Sequence, residues 1–335
     1  YADYKLPSDM SMQDPDNQIL ATVANCISDN TQTPVVLVSQ DINVRVKADA
    51  LGITAEDYTT NQIVDKAEEI YAGFLQHLVD DALIDRFYGG EKILLDEKDI
   101  KLHPNQFVML VSNANDKKTA LARFKNYNHP LGKVREYKDG IWGVRAKNKE
   151  QQFALDMLMN DDVKIVSLVG KAGCGKTLLA LAAGLQQILE DGTYKKLIVS
   201  RPVQPMGRDI GFLPGTLEEK MMPWIAPIQD NLEFLMGDDK ENLKQLQEQG
   251  TIEVEALTFI RGRSIANAFI IIDEAQNLSM HELKTIITRV GEGTKIILTG
   301  DVDQIDSAFL DATNNGLTYA VEKFKPYELA GHVTL

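Results

Sequence analysis

Residues 170–177 read Gly170-Lys171-Ala172-Gly173-Cys174-Gly175-Lys176-Thr177, a G-x-x-x-x-G-K-T spacing between an apolar run, residues 165–169, and an alanine-rich helical run, residues 177–190. Glycines at these places let the backbone curl so that successive N–H groups point inward, and a helix that starts there adds its positive end. That is chemistry for a polyphosphate. Lys176 is placed to reach β and γ phosphates, and the Thr177 hydroxyl is a hard oxygen ligand for Mg²⁺. A small side chain suits the tight turn at Cys174. A chance match in a glycine turn is the alternative, and the downstream residues argue against it. An apolar run, Phe269-Ile270-Ile271-Ile272, ends in Asp273-Glu274-Ala275-Gln276-Asn277. A buried strand of this kind delivers its carboxylates to the carboxyl edge of a sheet. Asp273 would hold the magnesium through water, and Glu274 would orient and polarise an attacking water. An acidic helix cap is the bland reading of the same pair. A third run, residues 296–299, leads into Gly300-Asp301-Val302-Asp303-Gln304, where the Gln304 amide is placed to sense a γ phosphate. Upstream, Gln151 carries an amide that both donates and accepts, which suits the N6 and N7 edge of adenine, or it lies on a solvated helix face.

These residues need a scaffold. The chain has 335 residues, 44% hydrophobic and 25% charged, which is ordinary globular composition and too long for one compact core. Two cysteines, Cys26 and Cys174, exclude a disulfide framework and a four-cysteine zinc site, so a reducing cytosol is the simplest compartment. Purely apolar runs stop at about four residues against the roughly 20 that a bilayer span needs. The opening residues, from Tyr1, lack the basic and apolar regions of a signal peptide. No membrane partner is expected.

The pattern divides the chain into three. Over residues 1–70 a helix at 17–28, a strand at 34–39 and a helix from Asp41 to Leu51 closed by Gly52 make an α/β unit. Residues 71–147 carry short apolar stretches at 74–78, 92–95 and 107–111 between Gly89-Gly90, His103-Pro104 and His129-Pro130, which predicts a small β-rich module. From 148 to 335 strands at 165–169, 197–200, 252–256, 269–272 and 295–299 alternate with helices, the mark of a parallel sheet covered on both faces.

Charge separates the parts as well. The whole chain is −14, from 35 basic and 49 acidic side chains, which argues against wholesale coating of nucleic acid. The segments are −8, +3 and −9 in order, so the middle is the basic part. Residues 117–147 hold Lys117, Lys118, Arg123, Lys125, Lys133, Arg135, Lys138, Arg145 and Lys147, with Phe124, Tyr127, Tyr137 and Trp142 interleaved. Such a segment binds single-stranded RNA by phosphate contact and base stacking, or it is a linker whose aromatics pack inside the β-rich module.

The motifs together resemble the PhoH-type ATPases. The glycine loop, Asp-Glu-Ala-Gln and Gly-Asp-x-x-Gln contribute, and Ser200-Arg201-Pro202-Val203, Gly211-Phe212-Leu213-Pro214-Gly215 and Arg261-Gly262-Arg263 are more specific. The resemblance covers about residues 148–335 and implies a RecA-like P-loop ATPase core that uses ATP and Mg and resembles the first motor domain of superfamily 1 helicases. The N-terminal part resembles the second half of a PIN ribonuclease domain, as in PIN–PhoH fusions. There Asp16 and Asp41 match two metal-binding acids, and Val44-Arg45-Val46-Lys47-Ala48 also fits. The first PIN strand has no counterpart, and two carboxylates are a short count for a two-metal site, so the resemblance lends little to ribonuclease activity in this polypeptide. PhoH proteins continue past Gly331-His332-Val333-Thr334-Leu335 with a basic segment, so the chain reads as a fragment.

Superfamily 1 motors complete their ATP site with arginines from a second RecA-like domain, which has no pattern here. A head-to-tail homo-oligomer, such as a ring, would supply one in trans, with Arg201, Arg208, Arg261, Arg263 and Arg289 as candidates. For any single one of the five, bonding within its own fold is the stronger reading. The leading functional reading is ATP hydrolysis coupled to RNA translocation or unwinding. A nucleotide-gated regulator with slow hydrolysis is the second, and a small-molecule kinase, which needs an acceptor site, is the third. The basic segment supplies the first test. Replacing Lys133, Arg135 and Lys138 by Glu should weaken single-stranded RNA binding and flatten its dependence on log salt by about two units, at ~0.7 for each phosphate no longer neutralised. An unchanged slope in fluorescence-anisotropy titrations would exclude the segment.

Overall fold

A computed structural model describes residues 7, 10–29, 33–39, 41–56, 62–202, 217–237, 239–257, 264–307 and 310–335. It forms two compact units, Tyr1–Gln62 and Ile63–Leu335. In the first, helix α1 (Pro15–Asp29) and helix α2 (Ile42–Ala50) bury Leu20, Ala24, Val44 and Ala48 against Leu37 and Ile53. Strands β1 (Leu37–Val38) and β2 (Ala55–Glu56) run parallel. The strand expected over 34–39 is two residues long, Leu37–Val38, in register with Ala55–Glu56.

The second unit opens with a four-stranded sheet in the order β3 (Phe74–Val79), β4 (Phe107–Ser112), β5 (Thr119–Arg123) and β6 (Gly132–Lys133). Helix α3 (Asp81–Tyr88) follows β3, and Ile84 and Phe87 close its core with Val108, Leu110, Ala122 and Phe124. The stretch at 92–95 is not a strand. Ile93 is buried in that same core, and its carbonyl accepts a single backbone bond from Leu131 (2.8 Å). An apolar residue there is needed for burial, not for a ladder.

A six-stranded parallel sheet makes up the rest. Helix α4 (Lys149–Leu158) leads to β7 (Ile165–Val169), α5 (Lys176–Leu185) with a π-helical turn to Glu190, and β8 (Lys196–Arg201). Then come α6 (Leu217–Met236), α7 (Lys240–Glu248), β9 (Ile252–Ala256), β10 (Ala268–Ile272), α8 (Met280–Ile287), β11 (Lys295–Gly300), α9 (Gly316–Phe324) and β12 (Ala330–Thr334). The strand order is β12-β7-β11-β10-β8-β9. Alternate residues of each strand feed opposite layers: Leu197, Val199, Phe269 and Ile271 pack with α4 and α5, while Ile198, Ile270, Ile272 and Leu298 pack with α8 and α9. Burial on both faces is why these strands read as continuous apolar runs instead of alternating ones. Among the described residues no helix is long and apolar enough to cross a membrane.

Two buried polar groups tie the layers together. The Lys295 ammonium, fully buried, donates to the carbonyls of Met157, Leu158 and Asn160 at 3.0, 2.6 and 2.9 Å, and so caps the carboxyl end of α4. His332 on edge strand β12 lies 2.9 Å from Ser167 Oγ and 3.0 Å from Thr334 Oγ1, with the Tyr71 ring 5.8 Å away. Beside it Asn105 donates to the carbonyls of Glu328 and Ala330 (2.7 and 2.8 Å), seating the small sheet on the large one.

Burial pushes the His332 imidazole down to about 3, from an ordinary value of 6.5. The unfolded chain takes that proton near 6.5 and the fold only near 3. The contribution is therefore complete above 6.5 and is lost as pH falls towards 3, at up to ~1.4 kcal/mol per unit. In urea titrations at a series of acidic pH values, His332→Asn should show a shallower loss of stability than the wild type. Equal slopes would contradict the buried neutral ring.

Candidate active site

Three neighbouring strands, β7, β11 and β10, end side by side at the carboxyl edge of the large sheet, and each ends in residues singled out for chemistry. After β7 the backbone turns through Gly173 (φ 82°) and Gly175 (φ 93°), conformations that cost an L side chain strain, before α5 begins at Lys176. Lys171, Ala172 and Gly173 are exposed, so the loop is open to a ligand. Lys176 is buried. Its ammonium folds back to donate to the carbonyls of Gly170 (2.6 Å) and Lys171 (3.0 Å), with Cys174 Sγ at 3.7 Å.

Thr177, in the first turn of α5, donates its hydroxyl to Asp273 Oδ1 at 2.8 Å. Thr299, at the end of β11, donates to the same oxygen at 2.6 Å. Asp273 N in turn donates to Ser200 O on β8 (2.8 Å). One residue therefore joins the helix after the loop to three strand ends, two partners through its carboxylate and β8 through its backbone. Hydroxyl and carboxylate oxygens side by side, with the phosphate loop adjacent, fit a magnesium ion that takes few protein ligands and keeps water and phosphate for the rest.

Glu274 follows in the left-handed region (φ 53°, ψ 40°). Its Oε1 is 3.1 Å from Nη2 of Arg201, and its Oε2 accepts from Gln276 Nε2 at 2.6 Å. Gln276 is fully buried and serves as a hub between strand ends. The same Nε2 donates to Gln304 O (2.8 Å), and Oε1 accepts from Asp301 N (3.2 Å). Asp301 closes the circuit by accepting the Ala172 N–H of the glycine loop at 3.1 Å. Sequence reasoning did not single out Gln276 or Asp301; a polar amide two residues past a pair of acids, with no solvent-facing pattern around it, is the signal that would have found the first. The Gln304 side chain is exposed, and its backbone carbonyl, rather than its amide, is what holds Gln276.

Gln151 sits one turn into α4, where Asn148 caps its N–H (2.8 Å). Its Nε2 donates to Cys174 O (3.0 Å) and its Oε1 accepts from Lys147 N (2.7 Å), so the amide braces the glycine loop against the preceding segment. In the first unit, Asp41 Oδ1 caps α2 through the N–H groups of Asn43 and Val44, and Asp16 lies 3.9 Å from the Lys47 ammonium. Among the described residues no three or more His, Cys, Asp and Glu side chains gather as metal ligands. Of the five arginines, Arg201 is paired with Glu274 and Arg289 is exposed; Arg208, Arg261 and Arg263 lie outside the described residues, as do Val203 and the 211–215 motif.

The basic segment departs from expectation in its aromatics. Phe124 is buried in the small sheet's core, so it is no stacking platform. Tyr127 donates its hydroxyl to Ile100 O (2.8 Å), and Trp142 Nε1 donates to Leu235 O (3.1 Å). For Arg123 and Phe124 the alternation of β5 and the residue after it supplies the reason, because a half-buried strand produces the same mixture of apolar and basic residues as a binding groove. Several cations are also committed: Lys118 to Asp85 (2.8 Å), Arg123 to buried Asp156 (2.9 Å) and Lys125 to Asp162 (3.5 Å). Lys117, Lys133, Arg135, Lys138, Arg145 and Lys147 stay exposed.

Residues 143–335 match the family model described as PhoH-like protein, and residues 2–59 match that of a PIN domain. Protein PhoH2 of Bacillus subtilis (strain 168) is 48% identical over 327 residues, covering 96% of this chain and 74% of that relative. Protein PhoH2 of Mycolicibacterium smegmatis is 36% identical over 340 residues, covering 98% and 72%. Among solved structures, the UvsW helicase from bacteriophage T4 aligns over 88% of this chain and 77% of its own at 10% identity and a TM-score of 0.35, a distant likeness.

The hub generates its own test. A Cβ on Gly300 would stand 2.2 Å from Gln276 Oε1 and 2.7 Å from Leu317 Cδ2. Gly300→Ala should therefore cost ~1–3 kcal/mol in denaturant unfolding, as overpacking of a filled site does. Combining it with Gln276→Ala should cost less than the two singles added together. Strict additivity would mean that the two positions do not meet.

Proposed function

The chain belongs to the PhoH-like protein family, and on that premise we propose that it is a Mg²⁺-dependent ATP hydrolase acting on single-stranded RNA, working in the cytoplasm beside a PIN ribonuclease half. The observation that carries the reading is the 2.8 Å bond between Thr177 and Asp273, which sets a metal-competent oxygen pair next to the Lys176 loop. The roles follow from position. The loop's backbone receives the phosphates, and Lys176 exchanges its carbonyl partners for β and γ oxygens. Thr177 and Asp273 would hold magnesium. Magnesium bound there would neutralise charge on the β and γ phosphates. Glu274 orients the attacking water, and Gln151 and Gln304 border the nucleotide at its two ends. Phosphoryl transfer needs positioning and charge stabilisation more than covalent help, and these groups provide both.

RNA would meet the exposed cations of 117–147, Lys138, Arg145 and Lys147 among them, or the assembled subunits. An arginine donated between copies of the chain belongs to the same proposal, with exposed Arg289 a candidate. The Arg201–Glu274 pair favours one refinement, the slow hydrolysis of a nucleotide-gated regulator when RNA is absent. Turnover measured with and without single-stranded RNA separates the two: stimulation is expected from the RNA-acting enzyme and none from the regulator. Lys176→Ala should lower kcat by at least ~10²–10³, the scale for removing one preorganised charge-stabilising donor. Unchanged turnover in that variant would refute ATP hydrolysis at this site.

A further inference from the structure

Among the described residues Glu274 has two partners, a hydrogen bond from Gln276 and an ion pair with Arg201, and they are unlike each other. Gln276 is fully buried, and the same amide is held by Gln304 O and Asp301 N, so it cannot leave without breaking two further bonds. Arg201 reaches the other oxygen from the end of β8, with side chains 23% and 30% exposed. The pair is part-buried but still reached by water at one side, so a competing anion has access to the guanidinium. β8 lies on the side of β10 away from β11 and β7, so Arg201 and the glycine loop flank the acids from opposite sides. A ligand that takes hold of Arg201 therefore need not be the nucleotide.

The chemistry of the contact says what that ligand is. A carboxylate paired with a guanidinium is a poor acceptor for a proton from water, and the arginine holds the one oxygen that Gln276 does not. Phosphate competes with carboxylate for arginine, because its oxygens match the guanidinium fork. We propose that Arg201 is a positioning residue that holds Glu274 away from the attacking water until a backbone phosphate of single-stranded RNA takes the guanidinium. Hydrolysis is then gated by RNA through one side chain at the sheet's edge. This rests on the ATP-hydrolase reading.

The full chain is assayed at saturating Mg-ATP, with and without poly(U) RNA. Arg201→Gln should raise RNA-free kcat up to about fivefold, the ratio equivalent to ~1 kcal/mol. KM for ATP should stay as in the wild type, stimulation by poly(U) should fall towards one, and poly(U) affinity should drop. Arg201→Lys, which can repeat the ion pair with Glu274, should restore most of the restraint. Arg201→Met should behave as Arg201→Gln, so a folding defect in one variant does not decide the matter. A fall in turnover in the uncharged variants would make Arg201 a group that acts on the nucleotide and overturn the proposal, as would no change in basal rate. If wild-type turnover is independent of Lys176, the hydrolase reading fails and takes this one with it. If turnover depends on Lys176 but not on Arg201, the gating alone fails.

Discussion

Asp273 Oδ1 accepts from Thr177 on α5 and from Thr299 on β11, while the backbone of the same residue is bonded to β8, so the whole site depends on this one oxygen. Asp273 is buried, and a carboxylate that lost one of these donors would carry unpaired charge where water cannot reach it, which is costly. The bonds constrain the glycine loop relative to β10 and β11, and with it the place where a phosphate can rest. The rest of the large sheet, apolar on both faces, is the means of holding three strand ends in register around that oxygen.

From Asp273 the order spreads through amides. Gln276 links Glu274 to the backbone of Asp301 and Gln304, and Asp301 returns to Ala172 in the loop. A change at any of the three strand ends is felt at the others because every member shares a partner, and such networks count for more than their separate bonds. Gly300 belongs to this arrangement for the plain reason that any Cβ there would overlap Gln276. At the other end of the sheet, Lys295 holds the carboxyl end of α4, whose amino end carries Gln151 against the loop. The helix is thus fastened at both ends, and the loop borrows rigidity from it.

The small sheet shows how a local pattern misleads. Basic and aromatic residues alternate from 117 to 147, and single-strand binding surfaces have that composition. A half-buried antiparallel strand has it too. Phe124 and Arg123 are neighbours in sequence, yet one is buried in the core of the small sheet and the other reaches Asp156. What separates the two cases is the position of β4 and α3, which lie outside the basic segment itself. Most of the cations left in water, Lys117, Arg135, Lys138, Arg145 and Lys147, lie outside the strands, and Lys133 is the exception on β6.

Local and chemical features were legible along the chain. The glycine loop had to turn because Gly173 and Gly175 permit positive φ. The strands at 165–169 and 252–256 were legible to the residue because apolar runs bounded by turn residues leave few other options. The carboxylates of β10 could be assigned to the loop because parallel α/β sheets gather strand ends on one edge. Tertiary structure alone decided the pairings: that Asp273 shares its oxygen between two threonines, that Glu274 is held by Arg201, that Gln276 is a hub, and that β12 completes the sheet beside β7. Each of these joins residues tens to more than a hundred positions apart or turns on a side chain's burial. Periodicity reports what one segment buries; it carries no information about which distant partner a polar atom will meet there.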